Sequence, residues 1–186
     1  MTLFRKNGSE NAPLRSGDKA PNFQLSSAQG GLFRLDMRTA HGPVVLAFVN
    51  AGEEERELLE RLKERRAEFQ RAGAQHRSRM RSQTSAKPYS RMGPTMAASV
   101  AVIVRAETME QVRELQEQLQ LPYYVLWDEA NQVSGRYGVA EGETAVAVVQ
   151  GDGTLEWISE SGESPPIEQI LQAVLPEQEE GPDSGA

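Results

Sequence analysis

The sequence predicts an α/β domain of three layers, with helices on both faces of a mixed central sheet. Three observations predict it. Continuous apolar runs at 43–49, 99–104 and 144–149 read as strands buried on both faces. Between and after them, apolar residues recur at helical spacing: Leu58, Leu62, Phe69 and Ala72; Met109, Val112, Leu115 and Leu119; Ile167, Ile170, Leu171 and Val174. Gly151-Asp152-Gly153 then marks a β-hairpin near the end of the chain. Strands alternating with helices need crossover connections, so most central strands run parallel and helices cover the sheet.

Each element follows in order. Residues 1–15 are polar, carry Gly8, Asn11 and Pro13 and show no period, so they read as a flexible lead. Phe23 and Leu25 alternate with polar residues after Pro21, as in a short edge strand. A Gln29-Gly30-Gly31 turn leads to Leu32-Phe33-Arg34-Leu35, which makes 22–35 a hairpin. One helical turn over 36–40 and His41-Gly42-Pro43 lead into the first central strand. Ala51-Gly52 supplies a turn, and a helix runs from about 53 to 72, with Gly73 as its C-cap. Residues 74–95 are rich in Ser, Arg, Gln, Gly and Pro, lack a hydrophobic period and read as a mobile basic loop.

Order returns with the strand at 99–104. Thr108 as N-cap and Gln111 three residues on open the next helix. Residues 121–127 form a short strand ending at Asp128, and 131–137 a short helix closed by Gly138. The strand at 144–149 pairs with an antiparallel return at 155–159, and Pro165-Pro166 starts the last helix. The domain spans 16–175, and 176–186 is an acidic tail expected to be disordered.

Composition excludes several functions. The chain has no cysteine in 186 residues, so disulfides, thiolate metal sites and thiol catalysis are excluded. Two histidines, His41 and His76, are too few for an ordinary structural zinc site, and no metal or cofactor is expected. His41 reads as a turn residue. No stretch is long and apolar enough to span a membrane, and the N-terminus lacks a secretory apolar core, so a cytoplasmic location is expected. The net charge of −7 is uneven. Residues 69–106 contain no acid and seven basic side chains, so this segment carries +7 and the remainder −14.

Several short segments, in order, carry a family resemblance. Gly17-Asp18-Lys19-Ala20-Pro21-Asn22-Phe23-Gln24-Leu25 opens the domain, and Gly42-Pro43-Val44-Val45-Leu46-Ala47-Phe48 is the first central strand. Leu121-Pro122-Tyr123, Leu126-Trp127-Asp128, Tyr137-Gly138-Val139 and Gln150-Gly151-Asp152-Gly153-Thr154-Leu155 follow. Together they resemble the peroxiredoxins of the alkyl hydroperoxide reductase and thiol-specific antioxidant group, over about 17–175. The resemblance implies a thioredoxin-like three-layer α/β/α fold of peroxiredoxin type, with an N-terminal β-hairpin. It implies a dimer as well.

The family keeps its peroxidatic cysteine in the first helical turn after that strand. The positions that match the family's active-site turn are Asn50, Glu54 and Glu57, so thiol peroxidase chemistry does not carry over. The family's Pro or Arg before the fourth central strand is also missing, replaced by Glu141-Gly142-Glu143-Thr144.

Two clusters are candidate sites. Glu53, Glu54, Glu55 and Glu57 crowd the start of the first long helix. Acids there complement the helix dipole; alternatively they recognise a cation or a basic segment. Arg77, Arg79, Arg81, Lys87 and Arg91 form the second candidate, a site for an anion or an acidic partner. With Tyr89 as its one aromatic residue, this segment offers little for base stacking. Trp127, Trp157, Tyr123 and Tyr124 are expected to pack in the core. The expected function is a cysteine-free peroxiredoxin-like module that binds an unidentified protein partner or serves structurally. Two alternatives stay open: a redox-related enzyme working through carboxylates or a bound cofactor, and a binder of an acidic partner through the basic segment.

Overall fold

The three apolar runs become the centre of one seven-stranded sheet because no face of them can meet water. The computed structural model describes residues 13–52, 55–83, 99–162 and 164–175, with the backbone alone at 76–83. In chain order the elements are β1 (Gln24–Ser27), β2 (Leu32–Arg34), α1 (Leu35–Thr39), β3 (Val44–Asn50), α2 (Arg56–Glu64), α3 (Arg66–Gln83) and β4 (Ser99–Arg105). Then come α4 (Met109–Leu119), β5 (Tyr124–Trp127), a 3-10 turn (Glu129–Asn131), α5 (Gln132–Arg136), β6 (Ala145–Val149), β7 (Leu155–Ile158) and α6 (Ile167–Val174). The strand order is β2-β1-β5-β4-β3-β6-β7. β3 pairs parallel with β4 and β4 with β5, whereas β6 runs antiparallel to β3 and β7 antiparallel to β6.

Side chains alternate across a strand, so each central strand feeds both layers. Val45, Ala47 and Val49 face α2, α3, α4 and α6 through Leu58, Leu62, Phe69, Val112, Leu115 and Ile170. Val44, Leu46 and Phe48 face the opposite layer, with Phe33, Leu35, Val133 and Tyr137. At the start of α4 the Thr108 hydroxyl accepts from the Gln111 amide, and the Gln111 side chain accepts from the Thr108 amide. This reciprocal cap satisfies two donors the helix cannot.

The structure corrects the sequence reading in three places. The helix expected over 53–72 is two helices. Arg65 leaves helical geometry between them, at φ −92° and ψ 12°. Its guanidinium grips Glu68 and, at 2.9 Å, Glu168 on α6.

Gly73 is not a C-cap. It is buried within α3, one turn beyond Phe69, and the helix continues to Gln83. Residues 74–83 of the expected loop are therefore helical. Ala, Arg, Gln and Met are good helix formers, and a turn anchored by Phe69 propagates without a further apolar stripe. The rest of that loop, with Lys87 and Arg91, lies outside the described residues, as do 1–12 and 176–186.

Finally, β1 is not an edge strand. It lies between β2 and β5, and β2 forms the edge.

The four aromatic residues expected in the core are half-buried and pack against it. Two of them donate to backbone carbonyls: the Tyr123 hydroxyl to Leu62 at 2.6 Å and the Trp127 indole N–H to Ala106 at 2.9 Å. Tyr137, fully buried, donates to the Pro21 carbonyl at 2.9 Å.

Burial pushes both phenols well above their ordinary range. A raised folded-state value means stability is full below the unfolded value near 10 and falls as pH rises beyond it. Stability followed by urea unfolding is therefore expected to decline above about pH 10. Tyr137→Phe should reduce that slope by about one proton. An unchanged slope would show that the phenol ionises without unfolding. Among the described residues, no helix is long and apolar enough to cross a membrane.

Candidate functional site

β3 and β4 run parallel and finish together, so the last residues of the two strands, Asn50 and Arg105, stand opposite each other. The chain leaves β3 through Ala51 and Gly52, and Glu55 stands just before α2 as its N-cap residue. Its carboxylate does not cap that helix. It turns back over the strand end and is only 8% exposed. One oxygen, Oε1, accepts from Asn50 Nδ2 at 2.6 Å, from the Asn50 amide at 3.4 Å and from the Thr144 hydroxyl at 3.4 Å. Asn50 spends its second amide hydrogen on the Gly142 carbonyl at 2.9 Å.

Arg105 completes the cluster. It is 8% exposed, an unusual place for a guanidinium without compensation. One terminal nitrogen donates to Ala140 at 2.7 Å and the other to the Glu143 carbonyl. Its Nε is buried without a hydrogen-bond partner. Burial pulls its pKa below the ordinary value; Glu55 is the strongest opposing charge, followed by Asp128, Glu141 and Glu143. Asp128 is buried too, and accepts from the Val133 and Ser134 amides at 2.9 and 2.8 Å and from the Ser134 hydroxyl at 2.7 Å. That carboxylate holds the start of α5 against the end of β5.

The result is a charge-compensated knot at the C-terminal edge of the sheet. Asn50 and Arg105 between them occupy the carbonyls of Ala140, Gly142 and Glu143, the loop before β6. The hydroxyls here, Thr144 and Ser134, donate to Glu55 and Asp128, and both carboxylates are buried. A general base must reach a substrate proton, and Glu55 is turned inward instead. Among the described residues, no group of three or more His, Asp or Glu side chains is placed to hold a metal ion.

Of the two described positions that matched the family's turn, the structure brings Asn50 into this cluster and leaves Glu57 out. Glu57 points to solvent, its side chain 85% exposed, and pairs with Arg61 at 4.0 Å. Glu54 lies outside the described residues, as does Glu53. Arg77, Arg79 and Arg81 lie on the second half of α3, and helical geometry sets Arg77 and Arg81 one turn apart. Among the described residues, no side chain of α3 bonds to the Glu55 cluster. The four-carboxylate cluster is thus divided: Glu55 inward, Glu57 outward.

Sequence reasoning missed Arg105 and Thr144 as site residues, and did not separate Glu55 from its neighbours. One signal was present. A charged residue directly at the end of an unbroken apolar strand marks the point where that strand reaches the sheet's edge. Glu57→Gln is expected to change stability by less than about 0.5 kcal/mol, because an exposed i,i+4 pair contributes little. A larger loss on urea unfolding would place Glu57 in a structural role that its exposure argues against.

No family model matches the chain, and no curated protein matches it in sequence. Solved structures do. Peroxidoxin BcpB from Mycobacterium tuberculosis aligns with a TM-score of 0.66 at 18% identity, over 87% of this chain and 96% of that one. A protein described as a thiol:disulfide interchange protein, DsbE, from Chlorobium tepidum aligns at 0.59 and 18% identity, over 87% and 99%. One described as a protein disulfide isomerase, from Bacteroides thetaiotaomicron, aligns at 0.60 and 14% identity, over 87% and 91%. Identities this low carry the fold alone, and that fold agrees with the strand order, the two helical layers and the N-terminal hairpin: this is a cysteine-free protein with the thioredoxin-like fold in its peroxiredoxin-type form.

Proposed function

We propose that the chain is a pseudoenzyme, a thioredoxin-like scaffold that works by binding a protein partner in the cytoplasm rather than by thiol redox chemistry. One observation carries this reading. The strand-end turn is filled by the inward-facing Glu55 carboxylate, and the chain has no cysteine to replace it. The partner is acidic, and Arg77, Arg79, Arg81, Lys87 and Arg91 recognise it. The support is the charge asymmetry, with +7 concentrated in 69–106 of a chain that is −7 overall. A second copy of the chain, acidic elsewhere, is one partner of that description.

The test has two arms. Hydrogen peroxide consumption with a thioredoxin system is expected to match a no-protein control, and consumption well above it would refute the pseudoenzyme reading. A labelled poly-glutamate peptide is expected to bind the full chain at low salt and to weaken as salt rises. The triple change Arg77→Glu, Arg79→Glu, Arg81→Glu should abolish that binding. Equal binding by both proteins, or none by either, would remove the basic segment from the proposal.

A further inference from the structure

A carboxylate that accepts three hydrogen bonds on one oxygen, beside a buried guanidinium, resembles a bound ligand more than a surface acid. The donors belong to two separate elements, Asn50 at the end of β3 and Thr144 just before β6, and Arg105, opposite Asn50 at the end of β4, supplies the counter-charge. Glu55 itself belongs to none of them. It reaches in from the connection between β3 and α2, where it leaves its own helix uncapped. Arg105 keeps a buried Nε without a partner, so the cluster's capacity for an anion is not exhausted. Gly52 lies close by: an added Cβ there would stand 3.3 Å from Glu55 Oε2.

We propose that the Asn50–Thr144–Arg105 cluster is a carboxylate-binding site, and that Glu55 occupies it from within the chain. This goes beyond the partner-binding reading, which uses a different element. The donor geometry is preformed by paired strands and by Asn50's second bond to Gly142, so it should persist when Glu55 is shortened. Removing the side chain beyond Cβ deletes one methylene and one carboxylate. Acetate is a molecule of that size and charge. A free monocarboxylate should therefore enter the vacated site and restore what the substitution removed.

The experiment uses the full chain and acetate as the probe. Glu55→Ala is expected to lower Tm by roughly 5–10 °C, since it leaves buried donors without an acceptor. Sodium acetate at tens of millimolar should then recover more than half of that loss, saturably, by binding only the folded state. Sodium chloride at equal ionic strength should recover little, and butyrate, too long for the vacated space, less than acetate. The wild type and Glu55→Gln, both of which fill the site, should respond to acetate no more than to chloride. Adding Asn50→Ala to Glu55→Ala should remove the acetate response.

If Glu55→Ala is unfolded in buffer, acetate is expected to return its folded-state circular dichroism. A Glu55→Ala protein that acetate stabilises no better than chloride, or that stays unfolded in both, would overturn the assignment. So would an equal acetate response in the wild type.

Discussion

Arg105→Ala is expected to lower the unfolding free energy by about 3–5 kcal/mol, the cost of removing one partner from a buried charge cluster. The guanidinium is buried and binds two loop carbonyls, and the buried carboxylates of Glu55 and Asp128 lie in its field. Alanine would leave Ala140 and Glu143 without donors and two inward carboxylates without their counter-charge. Urea unfolding would read the loss directly. The decisive companion is the double change Arg105→Met with Glu55→Gln, which removes both charges and keeps the volume. It should lose less than Arg105→Ala, because it fills the space and leaves Asp128 as the one carboxylate of the two without its counter-charge. A loss below about 1 kcal/mol for Arg105→Ala would mean that water reaches the cluster and that Glu55 needs no buried partner.

Phe69→Ala is expected to cost about 3–5 kcal/mol, the range for emptying a buried phenylalanine site. Phe69 is 1% exposed and is the large apolar anchor of α3 in the core shared with α2, α4 and α6. Arg65 breaks the preceding helix just before it, so α3 depends on Phe69 and the Arg65 bridge to Glu168 for its position. Amide exchange should show more than the global loss. Protection along α3 should fall further than along β3 and β4, because propagation of the helix toward Gln83 starts from that anchored turn. A stability loss under about 1 kcal/mol would show that α3 is held by its polar contacts instead.

Local patterns made much of the fold legible. β3, β4 and β6 carry unbroken apolar runs, and such runs are stable only where both faces are covered. The Thr108–Gln111 pair announces the start of α4 because both of its bonds lie within one turn. The Gly151–Gly153 hairpin and the turn at 28–31 are likewise settled by neighbours in sequence. Local patterns fail where a decision depends on distant residues. The break at Arg65 is stabilised by Glu168, about a hundred positions away in sequence, as the 103-residue separation of that bond records. β1 reads as an edge strand, yet β5, which covers it, lies far along the chain.

The candidate site divides the same way. The absence of cysteine is a property of the sequence alone, and it removes thiol chemistry whatever the fold. The acids after β3 are also visible in the sequence, as a charged first turn. Which of them turns inward is not, because adjacent glutamates have the same chemistry and the same helix propensity. That choice is made by Asn50, Thr144 and Arg105, residues from three strand ends that only sheet pairing brings together. Burying a carboxylate is costly unless donors and a counter-charge meet it. The tertiary structure supplies both at Glu55, whereas Glu57, two residues further on, points into water.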